Sequence, residues 1–170
     1  ISAQLEMYVA LDGPPAVHDA VRGRGAHAKV EHALQLLVAK RAAGEYRGEI
    51  SINCVVTDPL IPALFDYIAH WQDRGIDTFY ISLPWFLSEA SARQMDAYCN
   101  AHLPWTTTPG GRPSWHAYGY GLAPDSAPAL LALFDRIDAH PWRFKVRYNP
   151  KPDRAELADS LLRLIRGGQS

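Results

Sequence analysis

A chain of 170 residues, 48% of them hydrophobic, has the length of one domain and the apolar material to bury a core, so a globular protein is the default. Seventeen basic residues against 18 acidic ones leave a formal net charge of −1, which excludes bulk electrostatic attraction to nucleic acid or to an anionic membrane. No apolar run reaches the roughly 20 residues that a bilayer-spanning helix needs, and the amino terminus lacks the pattern of a secretory signal. Cys54 and Cys99 are the only cysteines and have no zinc-like spacing, which favours a reduced, cytoplasmic compartment. The chain starts at Ile1, in what reads as the approach to a strand, so a piece of a longer protein is expected.

Taken in chain order, "LEMYVAL" (5–11) reads as a buried strand stopped by Asp-Gly-Pro-Pro. The specialised turn "DGPPAVHDAVRGRG" follows. Residues 26–44 carry Val30, Ala33, Leu34, Leu37 and Val38 at helical spacing, with Gly44 as a stop. "EISINCVVT" (49–57) is a second strand, and Asp58 and Pro59 supply the N-cap and first-turn proline of a helix running to about Arg74. "IDTFYISL" (76–83) is a third strand, followed by a helix over 88–102 with Ser88 as N-cap.

Residues 103–124 break into Pro, Gly, Thr and aromatics, including Trp105, Trp115, His116, Tyr118 and Tyr120. A loop of that length in a compact domain is more often functional than idle. A helix over 125–140 with Asp125 as N-cap, a strand over 142–150 and a helix over 153–168 complete the chain. Alternating strands and crossover helices imply parallel pairing with right-handed connections. The expected fold is α/β, built of parallel βα repeats that form the carboxy-terminal portion of a partial (βα)6, TIM-like barrel, as one incomplete domain over 1–170. Ligands then gather at the carboxyl ends of the strands.

Two segments carry a family resemblance. Leu11, Asp12, Gly13, Pro14, His18, Asp19, Arg22 and Gly23 match a strand end of the type Ser-Leu-Asp-Gly-Pro followed by His-Asp-x-x-Arg-Gly. Asn53, Val55, Val56 and Thr57 match a following strand of the type Ile-x-Asn-x-Val-Val-Thr. Over about residues 5–84 the chain resembles the radical S-adenosylmethionine enzymes, and within them the subgroup with a SPASM or twitch domain, from the fourth barrel strand onward. The resemblance implies S-adenosylmethionine and a [4Fe–4S] cluster as cofactors and a peptide or small natural-product precursor as substrate. The family's C-x-x-x-C-x-x-C loop is absent from these residues, so the cluster thiolates are expected upstream. The chain alone is then expected to have no radical activity.

Under that resemblance the cofactor-binding set is Ala10, Asp12, Arg22, Asn53, Val55 and Ser82. Ala10 stands where the family has serine, which removes one hydrogen bond to the cofactor. Asp12 either approaches the ribose or methionine amine or caps its own turn. Arg22 either pairs with the methionine carboxylate through its planar fork or closes a loop. Alternation on the second strand puts Ile50, Ile52, Cys54 and Val56 on one face and Ser51, Asn53, Val55 and Thr57 on the other. Asn53 then faces a ligand and Val55 the adenine, while Cys54 is a buried small hydrophobe. Trp85 and His116 are the substrate-binding candidates, with packing as the alternative for both. His18 reads as a packing residue, Asp19 as a cap, and Lys145 and Arg147 as solvated. No residue of the chain is expected to ligate metal, and neither nucleic acid nor membrane is an expected partner. Two rivals stand beside the radical reading: a non-radical βα-barrel lyase or hydrolase, whose one clear acid–base candidate is Asp12, and a non-catalytic barrel that binds a partner.

Overall fold

The computed structural model describes residues 5–85, 87–103, 113, 115, 116 and 122–150. Trp105, Tyr118, Tyr120 and the helix expected over 153–168 lie outside the described residues. The chain divides into two compact units, one of residues 1–83 with 128–153 and the other of 84–127 with 154–170.

The first unit is built on a parallel sheet of four strands: β1 (Glu6–Ala10), β2 (Glu49–Val55), β3 (Thr78–Ser82) and β4 (Lys145–Asn149), in the order β1-β2-β3-β4. Each strand lies beside its sequence neighbour, and the pairing runs Ala10 opposite Asn53, Asn53 opposite Tyr80 and Tyr80 opposite Arg147. Right-handed crossovers in a sheet of this order put the helices of this unit on one face. The packing agrees: Tyr67 of α3 (Leu64–Trp71) meets the Phe79 ring, and Phe134 of α5 (Ala127–Ala139) meets the Tyr148 ring. Alternation aims Phe79 and Tyr148 to one side.

That side holds the core. Ile50, Ile52, Cys54, Val56, Phe79 and Ile81 are fully buried, as the period-two reading of β2 requires. Each large apolar side chain so buried is worth about 1.5–3 kcal/mol before conformational entropy is counted. Burial pushes the Cys54 thiol well above its ordinary value, so it packs as a neutral group.

The turn after β1 contains a helix that the sequence pattern does not announce: α1 (Pro15–Arg22) opens on a proline, whose missing N–H costs nothing in a first turn. It leads into α2 (Ala26–Ala42). After β2 the expected single helix is divided. Asp58–Ala63 forms a 3-10 turn, and the α-helix begins only at Leu64, because Pro62 inside the turn cannot donate. Thr57 holds the capping position there without a side-chain bond, a correction to the expected Asp58 cap.

In the second unit α4 (Glu89–His102) starts as expected, with Ser88 Oγ accepting from Ser91 N–H at 3.1 Å. Asp125 sits within a 3-10 turn, Pro124–Ser126, ahead of α5, and not at the α-helical cap expected for it.

Candidate functional site

The site begins where β1 ends. Gly13 has φ +118, and a Cβ there would lie 2.7 Å from Leu60 Cδ1 and 3.3 Å from Val17 Cγ1. Both the backbone conformation and the space therefore demand glycine. The turn then folds back on itself through His18, whose Nδ1 accepts the Asp12 N–H at 2.9 Å. Only an imidazole protonated at Nε2 alone can do this, and burial of the ring lowers its pKa in the same sense. Asp19 accepts the His27 N–H at 2.9 Å and the Gly25 N–H at 2.6 Å, satisfying amides at the start of α2 that have no helical partner. Those bonds hold its carboxyl below the ordinary value. The packing and capping roles expected of His18 and Asp19 are the ones observed.

Asp12 is only 1% exposed. Its Oδ2 accepts from Arg22 Nε at 2.7 Å and its Oδ1 from the Val55 N–H at 2.9 Å. The carboxylate thus fastens the end of α1 and the end of β2 to the end of β1, and it offers no surface to a ligand. The turn-capping alternative for Asp12 is the nearer of the two readings. Arg22 keeps more freedom: its side chain is 44% exposed, and only Nε is engaged among the described residues. The two terminal nitrogens, one edge of the fork, remain for an anion.

The opposite face of the sheet from the core is polar and layered. At its lower end Ser51 Oγ donates to Glu6 Oε1 at 2.5 Å, and Lys145 Nζ reaches Glu49 Oε1 at 3.0 Å. Above these, Tyr8 of β1 and Tyr80 of β3 meet across β2, with the Tyr8 hydroxyl donating to that of Tyr80 at 3.0 Å and ring centroids 5.1 Å apart. The hydrogen bond to Tyr80 and then Glu6 raise the Tyr8 pKa, so the phenol stays protonated. Tyr8 is nevertheless 56% exposed. At the carboxyl end, Ser82 Oγ donates to Asn53 Oδ1 at 2.6 Å, which leaves the Asn53 amide NH2 without a partner among the described residues. Ala10 lies opposite Asn53, and Val55 opposite Ser82, with its side chain half-buried on this face.

Ala10, Asp12, Arg22, Asn53, Val55 and Ser82 are therefore gathered at one end of one sheet. Tyr8, Tyr80 and Glu6 belong to the same face and were not among the residues expected there. Parity is the signal that finds them, since Tyr80 stands two residues before Ser82 and Tyr8 two before Ala10.

Trp85 and His116 belong to the second unit. Trp85 is 72% exposed. His116 Nε2 lies 2.8 Å from Asp96 Oδ2, and the neighbouring Trp115 Nε1 donates to Asp96 Oδ1 at 2.8 Å. This pair of bonds ties residues 115 and 116 to α4, which is the packing alternative for His116. Among the described residues, no group of three or more His, Cys, Asp or Glu side chains is placed to hold a metal ion, and no helix is long and apolar enough to cross a membrane.

No protein-family model matches this chain, and no curated protein or solved structure matches it either. The fold and the site define an α/β protein with a four-stranded parallel sheet, apolar on its helix side and polar on the other.

Proposed function

We propose that the chain is the carboxy-terminal portion of a partial (βα)6 barrel from a radical S-adenosylmethionine enzyme of the SPASM or twitch type, acting on a peptide or small natural-product precursor in the cytoplasm. One observation carries the proposal. The two segments that resemble the family are adjacent parallel strands, with Ala10 opposite Asn53 and the Asp12 carboxylate on the Val55 N–H. The strictly sequential strand order supports the barrel, because a doubly wound sheet reverses direction and a barrel does not.

The residues fit S-adenosylmethionine in part. The Asn53 amide and the terminal nitrogens of Arg22 have donors suited to its polar groups, the Ser82 oxygen, whose one O–H is given to Asn53, can only accept, and the Val55 side chain suits an adenine face. Asp12 does not fit as a ligand contact, since its carboxylate is buried and taken up by Arg22 and Val55. Its role here is to position Arg22. A [4Fe–4S] cluster held by residues outside these 170 would, once reduced, give one electron to bound S-adenosylmethionine, which would leave as methionine and a 5′-deoxyadenosyl radical able to take hydrogen from substrate. The barrel residues orient the cofactor and exclude water.

The burial of Asp12 also weighs against the lyase or hydrolase alternative, because it removes that reading's one acid–base candidate. The full-length reading frame is expected to encode C-x-x-x-C-x-x-C upstream, and the protein reconstituted with iron and sulfide is expected to release 5′-deoxyadenosine when given S-adenosylmethionine and a one-electron reductant such as dithionite. Asn53→Ala is expected to weaken S-adenosylmethionine binding about tenfold, the value of one good hydrogen bond. A parent lacking the motif, or a reconstituted protein that releases no 5′-deoxyadenosine, overturns the proposal. Stoichiometric S-adenosylmethionine binding opposes the non-catalytic alternative.

A further inference from the structure

Among the described residues, the polar face carries one cation that the fold does not use. Arg147 sits in β4 between Val146 and Tyr148, and Tyr148 packs on Phe134, so alternation turns Arg147 to the polar face opposite Tyr80. The other charges of that face have partners. Asp12 holds Arg22, Glu49 holds Lys145, and Glu6 holds the Ser51 hydroxyl. Arg147 is exposed, and its guanidinium has no ion pair or hydrogen bond among the described residues.

Its neighbours restrict what it can serve. Neighbouring strands lie about 4.8 Å apart, so the row Ala10, Asn53, Tyr80, Arg147 sets the Arg147 backbone about 10 Å from that of Asn53, with Tyr80 between them. The tyrosine pair beneath is held by its own hydroxyls and presents aromatic surface, and Lys145, one layer lower, is already committed to Glu49. A planar apolar or peptide moiety suits the Tyr80 ring. The planar fork of an unpaired arginine beside it suits a carboxylate, which it binds through two parallel N–H donors.

We infer that the polar face binds a carboxylate-bearing substrate, with Arg147 taking the carboxylate and Tyr80 lying under the rest of the molecule. The inference deepens the proposed function and rests on it for what occupies the Asn53 end; the carboxylate contact itself needs no radical chemistry. The same carboxylate chemistry is offered by a peptide's free terminus, an acidic side chain or a small organic acid.

The test uses the full-length protein and saturation-transfer NMR, with benzoate and its neutral counterpart benzamide as probes. Benzoate is expected to bind with a dissociation constant on the order of 1 mM, and benzamide at least about tenfold more weakly. Arg147→Gln is expected to abolish the difference, Arg147→Lys to keep part of it as a point charge without the fork, and Arg24→Gln to leave it unchanged. Preference for N-acetylglycine over N-acetylaspartamide assigns a terminal carboxylate, the reverse assigns a side chain, and binding of neither leaves a small organic acid. Equal binding of benzoate and benzamide, no binding of benzoate, or benzoate binding unaltered in Arg147→Gln overturns the inference. Should the glutamine variant not fold, unaltered binding by Arg147→Lys does the same. A protein that discriminates benzoate through Arg147 but releases no 5′-deoxyadenosine counts against the radical reading alone, and the converse counts against this inference alone.

Discussion

The two faces of the sheet are held by different forces. Toward the helices, Ile50, Ile52, Cys54, Phe79 and Ile81 exclude water completely, and stability there comes from area. On the other face, Glu6 with Ser51, Tyr8 with Tyr80, Asn53 with Ser82 and Glu49 with Lys145 are joined pair by pair across neighbouring or next-neighbouring strands. An apolar face is finished once it is covered. A face of paired polar groups leaves donors over, here on Asn53, Arg22 and Arg147, and those are what a ligand can use.

Substitutions that probe this division should rank accordingly. Phe79→Ala, at a fully buried ring touched by Tyr67 and Phe144, should cost about 3–5 kcal/mol in urea denaturation. A loss smaller than that of any polar-face variant would remove the distinction between the faces. Asp12→Ala should follow at about 1.5–3 kcal/mol, because it strands the Val55 N–H and loosens Arg22, whose partial exposure moderates the cost.

The next effect depends on pH. The folded state lowers the His18 pKa below its usual 6.5, so its contribution is fully present above that value and is lost as pH falls toward the folded pKa. Between pH 7 and 5, stability should therefore decline with a slope from this residue below the one-proton limit of about 1.4 kcal/mol per pH unit. His18→Gln, which keeps an acceptor for the Asp12 N–H, should flatten that slope, and an unchanged profile would locate the titration elsewhere. Tyr8→Phe should be the mildest, under about 1 kcal/mol, because the lost hydroxyl bond is exposed. A larger loss would mean that the tyrosine pair bears on the core as well as on the face.

Much of this arrangement is written in local pattern. The alternation of β2 assigns its two faces residue by residue, and Ser88 caps α4 as its position implies. Ser51 shares the polar face with Asn53 yet is buried, because period two reports which side a residue faces and not what lies over it. The Asp12–Arg22 pair depends on the path of α1, a helix of only eight residues set directly behind two prolines in what reads locally as a turn. The tyrosine pair and the placing of Arg147 opposite Tyr80 depend on strand register, which no single segment encodes.

The position of the Asp12 carboxylate has a geometric consequence. The Leu11 N–H donates to the Asn53 carbonyl, and in a regular parallel ladder the Val55 N–H would answer by donating to the Leu11 carbonyl. It donates instead to Asp12 Oδ1. A side chain thus supplies the last rung, and the backbone is released from the sheet before its neighbour strand ends. This sets the bearing on which the chain departs into Gly13 and α1, and with it where Arg22 comes back to meet the sheet.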